Sequence, residues 1–121
     1  MTNIGIDLVE FEDLKARVNQ RFIDRVLSKR EKTMYDKIHH PKRKLEFLGG
    51  RFAAKEAYTK AYRSFDGPLN FVDVEVLKDD LGAPYIETTY RKQDKVEVSI
   101  SHSPSYVVAI CMVEKKGFYK L

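Results

Sequence analysis

Leu45-Glu46-Phe47-Leu48-Gly49-Gly50-Arg51-Phe52-Ala53-Ala54-Lys55-Glu56-Ala57-Tyr58-Thr59-Lys60-Ala61 decides how this chain folds. Leu45, Leu48, Phe52, Ala53, Ala57 and Ala61 recur at helical spacing and supply one apolar stripe. The helix extends back to Pro41, which suits a first helical position because the N–H it lacks would have no partner there. It extends forward to about Tyr62, a length of about 33 Å at the usual rise per residue. Gly49 and Gly50 each cost about 1 kcal/mol relative to alanine inside such a helix. The pair therefore predicts a kink, or a close approach by another backbone or a ligand.

Outward from this helix the pattern is mixed. Ile4, Ile6 and Leu8 alternate with Gly5, Asp7 and Val9, which predicts a short strand with Asp7 on the side away from the isoleucines. Phe22, Ile23, Val26 and Leu27 have helical spacing. Ser28 followed by Glu31 has the form of a capping box opening a helix from Lys29 to about Ile38. His39-His40-Pro41 interrupts it. Beyond the long helix, Phe65-Asp66-Gly67-Pro68 reads as a turn. Strands are expected over 71–77, 83–89, 96–101 and 106–113. The last is apolar on both sides and is expected to be covered on both faces. The sum is an α+β fold, a mostly antiparallel sheet packed with one long helix and shorter helices, in a single domain over residues 1–121.

Composition narrows the partners. There are 22 Lys and Arg against 18 Asp and Glu, a formal charge of +4, too balanced to indicate a nucleic acid by itself. Lys42-Arg43-Lys44 is the one basic run that could support such binding, or an anionic partner at the helix start. No segment approaches the roughly 20 apolar residues of a membrane span. No basic stretch precedes an apolar run at the N-terminus, so a cytoplasmic protein with no membrane partner is expected. The single Cys111 lies in an apolar run and reads as a buried, inert thiol, with no metal-binding Cys pattern.

Two stretches carry the chemistry. On the helix, Phe52, Glu56 and Lys60 lie four apart on one face, with Arg51, Lys55 and Thr59 in the adjacent row. A carboxylate among cations suits a metal-bound phosphate ester, although Glu56 and Lys60 could be an ordinary helix-surface pair worth about 0.2–0.5 kcal/mol. The second stretch is Ser99-Ile100-Ser101-His102-Ser103, where His102 could donate to a phosphate or be a polar turn residue. Asp7 could cap a turn, or join Glu56 as a hard-oxygen ligand to Mg²⁺. No P-loop, dinucleotide fingerprint or zinc spacing occurs.

Taken together, Gly5-Ile6-Asp7, the run Glu46 to Ala57, and Val98-Ser99-Ile100-Ser101-His102 followed by Tyr106 resemble the bacterial holo-acyl-carrier-protein synthase family over essentially the full length. The resemblance implies transfer of 4′-phosphopantetheine from coenzyme A to a serine of apo-acyl carrier protein, with release of 3′,5′-ADP. A non-catalytic coenzyme A-binding module on the same scaffold is the alternative. The family resemblance also implies Mg²⁺ held by Asp7 and Glu56, and catalysis by Glu56, Asp7 and Lys60. The proton from the carrier serine would go to Glu56 or to a metal-bound water. Coenzyme A contacts would come from Arg43, Arg51, Lys55, Thr59, Lys60 and His102. Members of the family are typically homotrimers with the active site between subunits. Two departures stand out. Asp13 occupies the place of an arginine that the family uses to dock its acidic carrier, with Arg17, Arg21 and Arg25 nearby. The chain also lacks the family's Gly-x-Gly turn after the lysine corresponding to Lys60, and Arg63 is a candidate phosphate ligand in its place.

Overall fold

The computed structural model describes residues 1–62 and 69–116. The turn expected at 65–68 and the candidate Arg63 lie outside them. Strand β1 (Thr2–Glu10) leads into three short helices, α1 (Phe11–Arg17), α2 (Gln20–Val26) and α3 (Lys29–Asp36). The long helix α4 (Pro41–Tyr62) follows, then a 3-10 turn (Phe71–Asp73) and strands β2 (Val74–Lys78), β3 (Pro84–Thr88), β4 (Lys95–His102) and β5 (Tyr106–Glu114). There are two antiparallel sheets rather than one among the described residues: a three-stranded sheet ordered β1-β5-β4, and the hairpin β2-β3. The expected strand over 71–77 begins only at Val74, because Phe71–Asp73 winds into the 3-10 turn.

Helix α4 is the centre of the core. Leu48, Ala53, Ala54, Ala57, Tyr58 and Ala61 are fully buried on it. The four alanines keep its surface low, so β1 comes onto it unusually closely. At Gly5 an added Cβ would lie 2.0 Å from the Ala57 carbonyl oxygen and 2.6 Å from the Ala61 nitrogen. Backbone occupies that space, so only glycine fits. At Gly49 and Gly50 the nearest atoms belong to side chains, not to another backbone. Gly49 faces side chains of Leu14, Phe11 and Val107 at 3.1–3.3 Å from a built Cβ, and Gly50 has only ordinary contact with Ile100 at 3.5 Å. The backbone approach is at Gly5 instead.

Strand β1 presents its odd-numbered side to α4, where Gly5 and Val9 are buried. Its apolar even side, Ile4, Ile6 and Leu8, is 56%, 56% and 64% exposed. Those residues pair across the ladder with Met112, Ile110 and Val108 of β5. Strand β5 was expected to be covered on both faces. In this chain one face is buried through Val107, Ala109, Cys111 and Val113, while Tyr106, Ile110 and Met112 are exposed on the other. The helices all lie on one side of the sheet, so an apolar pattern on both sides does not ensure two covers within the chain.

The capping box at Ser28 and Glu31 is present, the serine side chain accepting from the Glu31 N–H and the Glu31 carboxylate from the Ser28 N–H. Cys111 is fully buried, and that burial pushes its thiol up to about 12. A thiol reagent near neutral pH is expected to leave the native protein unmodified and to react stoichiometrically once denaturant is added, read by absorbance of the released thiolate.

Candidate active site

Asp7 sits in the middle of β1 opposite Ala109, on the side that faces α4. Lys60 reaches across from the last turns of α4. Its ammonium donates to Asp7 Oδ1 at 3.0 Å and to the Ile6 carbonyl at 3.1 Å. The Asp7 side chain is 15% exposed and that of Lys60 56%, so the pair sits at the edge of solvent. Glu56 lies one helical turn before Lys60 and is half-buried. Burial first, and then the charge on Asp7, hold its carboxyl above the usual carboxylate range, while Lys60 and Arg17 pull it partly back. Strand β1 and helix α4 thus bring together Asp7, Glu56 and Lys60, residues far apart in sequence.

A cavity of about 520 Å³ has Glu56 in its lining. Phe22, Phe52, Leu69, Phe71 and Arg17 are among its walls. The Arg17 guanidinium lies 5.3 Å from the ring centres of both Phe22 and Phe52, a stacked cation beside the carboxylate. Its place next to Glu56 was not legible in the sequence, because it depends on how α1 lies on α4.

Arg43, Arg51 and His102 gather elsewhere, around a second cavity of about 340 Å³ with Glu46, Phe47 and Ile100. Arg51 is buried, 5% exposed, with its guanidinium 3.8 Å over the Phe47 ring. Its Nε has no hydrogen-bond partner among the described residues. His102 Nδ1 is 3.8 Å from Glu46 Oε2. Thirteen positions separate Arg43 from Glu56, about 20 Å of helix.

One expected contact is corrected. Lys55 is fully buried, and its ammonium donates to the Val26 carbonyl at 2.5 Å, Glu31 Oε1 at 2.6 Å and the Phe71 carbonyl at 2.9 Å. All three of its protons are used inside the protein. Thr59 donates its hydroxyl to the Lys55 carbonyl at 2.9 Å. The reason is rotational. Successive helix residues diverge by about 100°, so Lys55 turns inward where its neighbour Glu56 is half-buried and Lys60 is exposed. Glu31, which the sequence marked only as a cap, is the buried partner of Lys55. The two lysines of the basic run at the start of α4 also have partners within the chain. Lys42 lies over the Phe11 ring and donates to the Pro104 carbonyl, and Lys44 lies over Tyr35 and donates to its carbonyl.

Residues 3–111 match the sequence model of the 4′-phosphopantetheinyl transferase superfamily. A holo-acyl-carrier-protein synthase of Acholeplasma laidlawii is 42% identical over 113 residues, 93% of this chain and 96% of that protein. One from Streptococcus agalactiae is 46% identical over 114 residues, 93% of this chain and 95% of that protein. A crystal structure of a holo-acyl-carrier-protein synthase from Bacillus anthracis in complex with CoA (3′,5′-ADP) superposes with a TM-score of 0.84 at 36% identity, covering 94% of this chain and 96% of that one.

Proposed function

The chain belongs to the 4′-phosphopantetheinyl transferase superfamily, and we infer that it moves 4′-phosphopantetheine from coenzyme A onto a serine hydroxyl of apo-acyl carrier protein, releasing 3′,5′-ADP, for fatty acid biosynthesis. The observation that supports our placing of the chemistry is the approach of Asp7, Glu56 and Lys60 at one edge of α4.

A divalent cation fits that edge. Two carboxylates close enough for one to hold the other above its usual range are a pair that a cation would relieve. No group of three or more His, Cys, Asp or Glu side chains gathers as a metal site among the described residues. This suits Mg²⁺, which takes one or two carboxylates and fills its shell with water and phosphate oxygens. Bound there, the ion would supply Lewis-acid stabilisation of charge on the pyrophosphate. Lys60 would offset further charge as the bond to 3′,5′-ADP breaks. The serine oxygen forms its bond to the pantetheine-bearing phosphorus as the phosphorus–oxygen bond to 3′,5′-ADP is lost. The serine proton passes to Glu56, which is placed at the site, or to a metal-bound water. Arg43, Arg51 and His102 would hold the nucleotide phosphates, and the unpartnered buried Nε of Arg51 supports this.

The two cationic clusters lie on separate surfaces of one chain, and our reading of a homotrimer brings one copy's cluster to its neighbour's. The uncovered apolar face of Ile4, Ile6, Leu8, Ile110 and Met112 supports a second copy as its occupant. Ile110→Asp is expected to give a monomer by sedimentation velocity and to lose transfer with it. A trimer retained in that variant would remove this support. No helix among the described residues is long and apolar enough to cross a membrane, and the cytoplasmic placement is part of our reading.

Intact-mass analysis of apo-acyl carrier protein incubated with the protein, coenzyme A and Mg²⁺ tests the function. A gain of one phosphopantetheine, abolished by EDTA, is expected. Coenzyme A binding with no gain on several carrier proteins would instead indicate a non-catalytic binding module.

A further inference from the structure

Lys55 and Glu31 are both fully buried, and they join more elements than an ion pair requires. Glu31 Oε1 also accepts from the Ser28 N–H, and Oε2 accepts from the Val76 N–H, both at 2.8 Å. Through Lys55 the same pair holds the carbonyl of Val26, the last residue of α2, and that of Phe71, the first residue of the 3-10 turn. Val26, Phe71 and Glu56 all line one cavity, and Lys55 is the residue before Glu56 in α4. One ammonium therefore ties these two lining segments together and fixes them relative to the carboxylate.

Among the described residues, Phe52 and Glu56 line that cavity and Asp7 and Lys60 do not. In a phosphoryl transfer the attacking and leaving oxygens are roughly in line. With the pyrophosphate on the Asp7–Lys60 side, the nucleophile arrives from the cavity side. We propose that Lys55 is a positioning residue for the acceptor: by tying the Val26 and Phe71 carbonyls to Glu31 it fixes the shape of the cavity through which the serine-bearing segment of the carrier protein reaches Glu56. This rests on the transferase reading above. Lys55 touches no substrate and acts through the walls it holds. Stability alone does not require a charged pair here, since well-packed apolar residues of similar volume serve a buried site as well or better.

The test separates geometry from stability. The double variant Lys55→Met/Glu31→Leu keeps the volume and removes both charges together, and Lys55→Gln/Glu31→Gln keeps two N–H donors at position 55 in place of three. For each, coenzyme A affinity is measured by calorimetry, and the acceptor KM and kcat by intact-mass assay. In the Met/Leu pair the acceptor KM is expected to rise about tenfold, the scale of one net hydrogen bond, with coenzyme A affinity within about twofold of the parent. In the Gln/Gln pair a rise of about threefold is expected, and this pair carries the test alone if the apolar one does not fold. An unchanged acceptor KM in a folded variant overturns the proposal, as does an equal loss of coenzyme A affinity, which would mean general loosening. Absence of any transfer by the parent protein would instead overturn the function itself.

Discussion

Glu56→Gln is expected to lower phosphopantetheine transfer by about a thousandfold, within the range for losing a general base, while the fold is unchanged. The substitution keeps the size of the side chain and removes its charge, so the Arg17 and Phe52 packing beside it persists. Coenzyme A should still bind through Arg43, Arg51 and His102, and the comparison of kcat with affinity checks this. Retained transfer in Glu56→Gln, with Mg²⁺ present, would remove the proposed base and ligand in one result.

The same carboxylate gives a pH dependence with a definite sign. Its proton affinity is raised by burial and by Asp7. In the metal-free protein Glu56 should therefore titrate above an ordinary glutamate, and added Mg²⁺ should move it down. Asp7→Asn removes a raising charge and should move Glu56 down, which a titration by carbon-13 NMR of the side chain would follow. For stability the sign is opposite to that of a salt-bridged carboxylate. A raised group costs nothing below its unfolded value, and its cost appears as pH rises through its folded value. A cation that binds both carboxylates would offset that cost, so Mg²⁺ should raise the melting temperature more at neutral than at acid pH.

Gly5→Ala is the second large expectation. The new methyl would lie 2.0 Å from a backbone oxygen and 2.6 Å from a backbone nitrogen of α4, neither of which can rotate away. Strand β1 must then lift from the helix, at a cost of about 3 kcal/mol. For a domain of this size the melting temperature should drop by roughly 10 °C. Because Asp7 follows two residues later on the same face of β1, the shift also moves it from Glu56 and Lys60. Transfer measured well below the melting temperature should fall more than the folded fraction does. A melting curve matching the parent would mean that the Gly5 contact is looser than the geometry gives.

Local pattern was enough for much of this molecule. The helix from Pro41 to Tyr62, the Ser28–Glu31 box and the β-strands of the C-terminal half follow from spacing, capping and alternation, each decided within a few residues. The resemblance carried by Gly5-Ile6-Asp7, the Glu46–Ala57 run and the Val98–His102 strand was likewise readable in order along the chain. Burial was not. Lys55 and Lys60 look alike in the sequence, yet one is sealed against Glu31 and the other stands at the edge of solvent beside Asp7. Their difference is a rotation about a helix whose inner side is defined only once the sheet has been laid on it.

Sequence by itself determined the elements, the family and the kinds of residue available for chemistry, because those depend on neighbours along the chain. Tertiary structure alone decided which of them meet. It gave the inward side of β1 to Asp7 rather than to the isoleucines, placed Arg17 against two aromatic rings, and parted Arg43, Arg51 and His102 from Glu56. Those outcomes depend on which faces of α4 the sheet and short helices cover, and that is set by packing between residues distant in sequence.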